Sequence, residues 1–528
     1  MKQMPRLLAP GRRTPLARVT LLTLVQGLGA AAAAFATRAL FEALHAGAPD
    51  LPLFPMVVLG LSGLVVATSR IAARVQGERL AQSYVLDLRA ALFEHAAGMA
   101  ACDVAARRSG YMSLRFVGDM TAFRNWAGRG VPRLVAGGIL IPATLAVLGL
   151  LSPALLLAVL PPLGIGLVLI LAGGLRLAPL HRRLRARRGR IAAEMAERMT
   201  LAPDLDRLGR RNKELHRLHR QSGRMIETAL ARLRLAETLT AIPEMMAGLT
   251  AVLILLIGAR EGLGTGTIAA ALSALGLLLA PMRDLATVWN LHAGWRAAQE
   301  KCAAALARRQ RPPYGTRGLS KGPVSLRIEA LELPGHPKFS CTLAAGEAVR
   351  IALGERAETA LFNILLGRDP KPAGQIQLSG IPLDELSRGA LRRNLCRIGP
   401  DVPMLQGSLR RALIFGTGIS IDDAVLRDRI RHLRLDEVLC PDGDLDRRIT
   451  EGGRTLSLSE RTAVSLVRAS LCHPRILLIG QDFAAARPEV TNAVQRWIDG
   501  TTTTVIWGEL LEVPITTATH AASLQANS

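Results

Sequence analysis

Residues 134–175 read LVAGGILIPATLAVLGLLSPALLLAVLPPLGIGLVLILAGGL, a run without one charged side chain. A bilayer hydrocarbon core about 30 Å thick is crossed by roughly 20 helical residues, so the run is about twice too long for one crossing. Two breakers lie inside it, LLSPALL and LPPLG. Proline removes a ladder hydrogen bond and clashes with the preceding turn, and the simplest division is a hairpin near Ser152 and Pro153 that joins two crossings.

Working outward, residues 19–37 and 51–69 form two further apolar runs, separated by the short HAGAPD. Residues 239–259 form a fifth, with a single acid at Glu244, and residues 262–282 a sixth beyond REGLGTG. The chain is 49% hydrophobic but only 3% aromatic, which is unusual for a soluble enzyme, and the apolar mass lies almost entirely before residue 297. The first run has no small-residue cleavage site after a short apolar core, so it reads as a retained anchor. Arginine crowds the amino-terminal tail, residues 70–133, residues 176–234 and everything after Arg283, whereas HAGAPD, LLSP and GAREGLG are nearly free of it. The excess of basic residues on one side predicts that both termini face the cytosol, with three short outer loops. The same asymmetry accounts for most of the net charge of +24, so the expected partner is membrane lipid and not nucleic acid.

The two inner connections carry charge at helical spacing (HRRLRARRGRIAAEMAERM and RRNKELHRLHRQSGRMIETALARLRL) and are read as helices that continue the crossings into the cytosol, where they can meet anionic headgroups. Residues 1–307 therefore form a six-span domain. Residues 308–323, rich in proline, glycine and basic side chains, form a linker, and residues 324–528 form a soluble domain. The six cysteines (Cys102, Cys302, Cys341, Cys396, Cys440, Cys472) have no metal-like pairing and are expected to be reduced packing residues. The ionisable candidates for a central substrate cavity are Arg38, Glu42 and Glu244. Arg38 and Glu42 read more readily as an i,i+4 pair at the outer interface than as a substrate contact, and Arg283 with Asp284 as a structural pair.

Six spans, two long helical inner loops, and a soluble domain opening VSLRIEALELP…CTLAAGEAVRIAL resemble the half-transporters of the ABC exporter family, of type IV fold. SGYMSLRFVGDMTAFRNW is similar to the family's segment after the first coupling helix, with Asp119 at its aspartate. The resemblance implies an ABC nucleotide-binding domain after the linker, and its landmarks occur in order but altered. A phosphate loop needs small residues whose backbone N–H groups surround phosphate, and a lysine that neutralises it. In IALGERAETALFNILLG, residues 351–367, Gly354 is the one glycine left, Glu358 falls at the lysine and Thr359 at the Ser/Thr place. A carboxylate about 4 Å from a phosphate is repelled by roughly 4 kcal/mol at an effective dielectric of 20, where lysine would be attracted by as much.

Walker B reads RILLIGQDF, with Gly480 and Gln481 at the acidic pair; Asp482 is either a displaced magnesium ligand or a carboxylate capping the next turn. In RIGPDVPMLQGSL, Pro400 or Asp401 stands for the expected glutamine and Gln406 lies beyond it. Gly508 replaces the switch histidine, Leu333 the adenine-stacking aromatic, and Arg487 the aspartate after Walker B. The signature, EGGRTLSLSERTAVSLVRASLCHP, keeps Leu456 and Ser457 but has Leu458, Ser459 and Glu460 for Gly-Gly-Gln. The resemblance thus implies a degenerate half-subunit of a bacterial inner-membrane exporter, unable to hydrolyse ATP alone and with no catalytic residue or metal site of its own. ATP and magnesium would sit on a partner half, and the substrate would be a small molecule, lipid or peptide. Force would pass through segments near Ala101 to Arg108 and Thr200 to Leu205. Two other readings remain: an inactive pseudo-transporter serving as a membrane scaffold or regulator, and an autonomous ATPase with rebuilt motifs.

Overall fold

The computed structural model describes residues 4–47, 50–105, 120–418 and 421–508. Asp119 and Arg108 lie outside the described residues. The chain divides into two compact units, Met1–Ala97 with Arg107–Arg308, and Gly98–Ala106 with Arg309–Ser528.

The first unit contains six long helices, each apolar enough over an 18-residue window to cross a membrane: α1 (Pro10–His45), α2 (Leu53–Ala97), α4 (Met120–Leu151), α5 (Pro153–Thr200), α7 (Arg211–Arg260) and α8 (Thr265–Leu306). The short α6 (Ala202–Arg207) joins α5 to α7, and α3 (Ala101–Ala105) belongs to the second unit. The long uncharged run divides at Ser152, whose extended backbone (φ −165°, ψ 130°) separates α4 from α5, with Pro153 opening α5 where its missing N–H costs nothing. LPPLG does not break the chain, and Pro161 and Pro162 stay inside α5. Prolines are tolerated within membrane helices because neighbouring groups take up the freed carbonyls. At 48 residues α5 is about 72 Å long, well beyond a 30 Å hydrocarbon core.

Small residues set the helix spacing. A Cβ on Gly174 of α5 would stand 2.5 Å from Cγ of Trp289 on α8, and one on Gly173 would stand 2.4 Å from Leu239 of α7. Leu148, Leu155, Val159, Ile254, Leu275 and Leu278 form the interior, while Leu28, Phe54, Val168 and Leu256 point outward, as lipid contact requires. Arg283 and Asp284 do not pair with each other. Adjacent positions on a helix point about 100° apart, so Arg283 meets Glu244 of α7 at 2.5 Å and Asp284 meets Arg133 of α4 at 2.9 Å.

The second unit is built on two sheets. β1 (Leu326–Leu333), β2 (His336–Leu343), β4 (Gln375–Leu378) and β5 (Ile381–Pro382) form an antiparallel sheet in the order β2-β1-β4-β5. β3 (Ala348–Arg350), β6 (Leu395–Ile398), β9 (Ile476–Ile479) and β10 (Thr504–Trp507) form a parallel one in the order β3-β10-β9-β6, and β7 (Gly407–Ser408) pairs with β8 (Arg448–Ile449) apart from both. Every residue of ILLI in β9 and TVIW in β10 is buried, the mark of central parallel strands covered on both faces. The longer helices are α9 (Gly354–Leu365) after β3, α10 (Leu458–Cys472) before β9, and α11 (Pro488–Asp499) between β9 and β10.

The expected linker is not free. Arg317 donates its N–H to Glu385 O at 2.9 Å and pairs with the Glu385 carboxylate at 2.7 Å. Gly315 lies so close to Glu385 that an added Cβ would stand 2.0 Å from its carbonyl oxygen. Helix α3 is held in the same unit, with Ala101 N–H donating to Arg368 O (3.1 Å) and Cys102 N–H to Asp369 Oδ1 (3.0 Å). Cys102 is exposed, against the expectation of a packing role, whereas Cys302 and Cys341 are buried.

Candidate functional site

At the carboxyl ends of the parallel strands, positions far apart in sequence meet at one point. β3 ends at Arg350 and α9 begins at Gly354, in the left-handed region at φ 66°, leaving residues 351–353 between them. Glu358 therefore stands on the second turn of a helix, where its side chain is 4% exposed. Its Oε1 accepts the Gln481 N–H at 3.0 Å, just past β9. A Cβ on Gly480 would stand 3.0 Å from the same oxygen, and one on Gly508, just past β10, would stand 2.1 Å from Oε2. The carboxylate thus occupies room that only glycine at 480 and 508 leaves open. Thr359, beside it, is half-buried.

Arg397 of β6 completes the surroundings. Its guanidinium, nearly buried, lies 3.4 Å from Asp482 and 3.7 Å from Asp401, and sits over the Phe362 ring. Burial pushes the Glu358 carboxyl up, against the Gln481 N–H and the Arg397 charge that hold it down. Asp482 is raised likewise, by burial and then by Asp401. Asp482 does not cap the following turn: residue Gly480 is the cap of Gln481–Ala485, without a side-chain bond, and the Asp482 carboxylate turns to Arg397 instead. Leu333 packs into the core, Gln406 is exposed, and Pro400 is buried.

The signature segment closes on itself. Ser457 caps α10, accepting the Glu460 N–H at 3.2 Å, while Glu460 Oε2 accepts the Ser457 N–H at 2.7 Å. Arg447 pairs with Glu460 at 2.7 Å. Burial works to raise the Glu460 carboxyl, but the Ser457 N–H and Arg447 outweigh it and hold it below the ordinary value. Ser459 is buried and its hydroxyl accepts the Arg487 N–H at 2.9 Å, Leu456 is in the core, and Leu458 is half-buried.

In the first unit, a cavity of about 600 Å³ lies among α1, α2, α4 and α8. Ala30, Val66, Leu140 and Leu277 make an apolar part; Arg70, Arg74, Glu78, Arg129, Arg133 and Asp284 make a charged part. Asp284 neutralises Arg133 and Arg124 pairs with Glu78 at 2.8 Å, but Arg70, Arg74 and Arg129 have no ion-pair partner among the described residues. The π turn Trp126–Gly130 within α4 carries Gly128 and Arg129 to this wall. Arg38, Glu42 and Glu244 do not line it: Arg38 and Glu42 pair with each other at 2.7 Å and Glu244 pairs with Arg283. The lining arginines fall at i,i+4 (Arg70 and Arg74, Arg129 and Arg133), a one-face spacing that the sequence offered and that orientation alone had absorbed.

The profile of the ABC transporter transmembrane region matches residues 16–279, half of the chain. The chain belongs to the ABC transporter transmembrane family. As an ABC transporter it is similar to an ATP-dependent lipid A-core flippase of Thiobacillus denitrificans, 24% identical over 84% of this chain and 78% of the relative. A protein of the same name from Bordetella pertussis is 22% identical over 81% of this chain and 71% of the relative. A third, from Albidiferax ferrireducens, is 25% identical over 45% of this chain and 42% of the relative. The six apolar helices are those of an ABC exporter's transmembrane domain, followed by an α/β nucleotide-binding domain, and the ABC transporter is an integral membrane protein.

Proposed function

We propose that this chain is one half of a dimeric ABC exporter that moves an anionic amphiphile, and that its own nucleotide-binding half does not hydrolyse ATP. The carrying observation is the cavity: three guanidiniums without ion-pair partners among the described residues adjoin an apolar wall, and guanidinium pairs bidentately with phosphate or carboxylate. Relatives named as ATP-dependent lipid A-core flippases support a lipid as the cargo, and the guanidiniums of the cavity support its anionic head. Glu358, at the place the resemblance gives to a phosphate-binding lysine, supports the silence of this half. ATP and magnesium would then sit on the phosphate loop of an ATP-competent partner subunit. The arginine asymmetry supports cytosolic termini, and the bacterial relatives support an inner-membrane setting.

The test is binding of a fluorescent anionic amphiphile and of its zwitterionic counterpart to the full chain in nanodiscs. Wild type should prefer the anionic probe at least tenfold, and Arg74→Gln with Arg129→Gln should abolish the preference. Equal affinity for both probes, or ATP hydrolysis by the chain alone, refutes the corresponding half of the reading. A second reading, a scaffold or regulator, is favoured by one observation, the capping box in which Glu460 fills the amino end of α10. Solute flux in vesicles containing both subunits separates the two.

A further inference from the structure

We propose that Glu358 is an internal ligand: its carboxylate fills an oxyanion site formed by the Gln481 N–H and the ends of β9 and β10, in the field of the Arg397 guanidinium, which pairs with Asp482 and Asp401. The inference deepens the reading of a silent nucleotide-binding half and rests on it. Open α/β sheets bind ligands in the crevice beyond the carboxyl ends of their strands, and that crevice is where Glu358 lies. Its two oxygens each face a glycine, Oε1 toward Gly480 and Oε2 toward Gly508. The surroundings are those of an anion site: one backbone N–H is already donated, and the Arg397 Nη2 stands 3.4 Å from the point where a Gly480 Cβ would sit. Two further donors on the same residues, Arg397 Nε and Gln481 Nε2, are buried without an acceptor. Buried donors of this kind carry a desolvation cost that an oxyanion would relieve. Both stay unsatisfied with Glu358 in place, so the tethered carboxylate takes the Gln481 N–H alone, and an oxyanion entering after its removal would find the other two donors open. The groups facing it are Arg397 from β6, Gln481 and Asp482 after β9, and Glu355 on its own helix.

Removing Glu358 should therefore leave a site for a free oxyanion. The experiment is hydrogen–deuterium exchange on the full chain in detergent, read over residues 479–486 and 504–508, with and without 10 mM inorganic phosphate as probe and Mg-ATP in a separate arm. In the wild-type chain the Gln481 amide should exchange slowly and neither probe should change it. Glu358→Gln retains an acceptor oxygen and should stay within about threefold of wild type. Glu358→Ala should exchange at least tenfold faster, and phosphate should restore at least threefold of that protection. If alanine unfolds the unit, seen as fast exchange through β1 and β2, Glu358→Asn decides, since it is polar but too short to reach the Gln481 N–H. Slow exchange in the alanine or asparagine variant overturns the proposal, as does protection of the wild-type segment by phosphate or Mg-ATP. Hydrolysis of ATP by the wild-type chain would defeat the functional reading instead, and it is measured separately.

Discussion

Gly508→Ala places a single methyl group 2.1 Å from Glu358 Oε2 and 2.8 Å from the Gln481 nitrogen. An ordinary non-bonded carbon contact is about 3.5 Å, so the carboxylate must withdraw by more than about 1 Å. That takes the Oε1 to Gln481 bond, 3.0 Å long in the native chain, beyond hydrogen-bonding range. A hydrogen bond to a charged group contributes about 1.5–3 kcal/mol, while replacing glycine where φ is ordinary stabilises by about 0.4–1 kcal/mol through the unfolded chain. The balance is a loss of about 1–2 kcal/mol, or roughly a 5- to 30-fold faster opening of residues 479–486. The control is the cycle with Glu358→Ala. Once the carboxylate is gone the methyl group meets no oxygen and keeps only its 2.8 Å approach to the Gln481 nitrogen, so the second substitution should cost less than in the native background, and the coupling energy is that difference. Exchange rates of the four proteins supply the cycle. Additivity within about 0.3 kcal/mol would refute the idea that Gly508 exists to admit Glu358.

Because burial raises the Glu358 carboxyl above its unfolded value, its contribution to stability is full below the ordinary glutamate range, about pH 4, and declines as pH rises through the folded value. Glu358→Gln should flatten the pH dependence of protection over residues 479–486, leaving only the slope from Asp482, which has the same sign. Cys102, whose thiol is raised by burial and then by Asp369, should react with maleimide about two- to threefold faster in Asp369→Asn, measured at pH 7.5. Glu460→Ala removes the capping box and the Arg447 pair, and exchange at the start of α10 should quicken by an amount equivalent to about 1 kcal/mol. Since the Glu460 carboxyl is held low, the wild-type advantage should fade as pH drops through its folded value.

The helical half was legible because its signals are local. The length of the uncharged run demanded two crossings, and the Ser152-Pro153 step marked where they part. LPPLG misled because the penalty for an interior proline is a water-side rule, relaxed where neighbouring helices and local adjustments satisfy the carbonyls. The cavity was hidden for a different reason. Arg70, Arg74, Arg129 and Arg133 had already served to orient the helices, and counting charges by segment does not say which face they share. In the soluble half, Glu358, Gly480 and Gly508 looked like three separate losses. Their meeting spans 150 residues, and only the strand order β10-β9 brings them together. The Arg283 and Asp284 pair failed because adjacency along a helix is divergence around it.

Helix α3 follows α2 in the chain yet is folded into the unit whose main segment starts at Arg309, its Ala101 and Cys102 amides bonded to Arg368 and Asp369. The two units are therefore not separable with one cut. A fragment ended at residue 308 would carry α3 with both amides stripped of their acceptors, and a fragment begun at 309 would present Asp369 with nothing to cap. Any exchange of soluble halves between related transporters must move residues 98–106 together with residues 309–528, because in this protein the boundary in space and the boundary in sequence are different places.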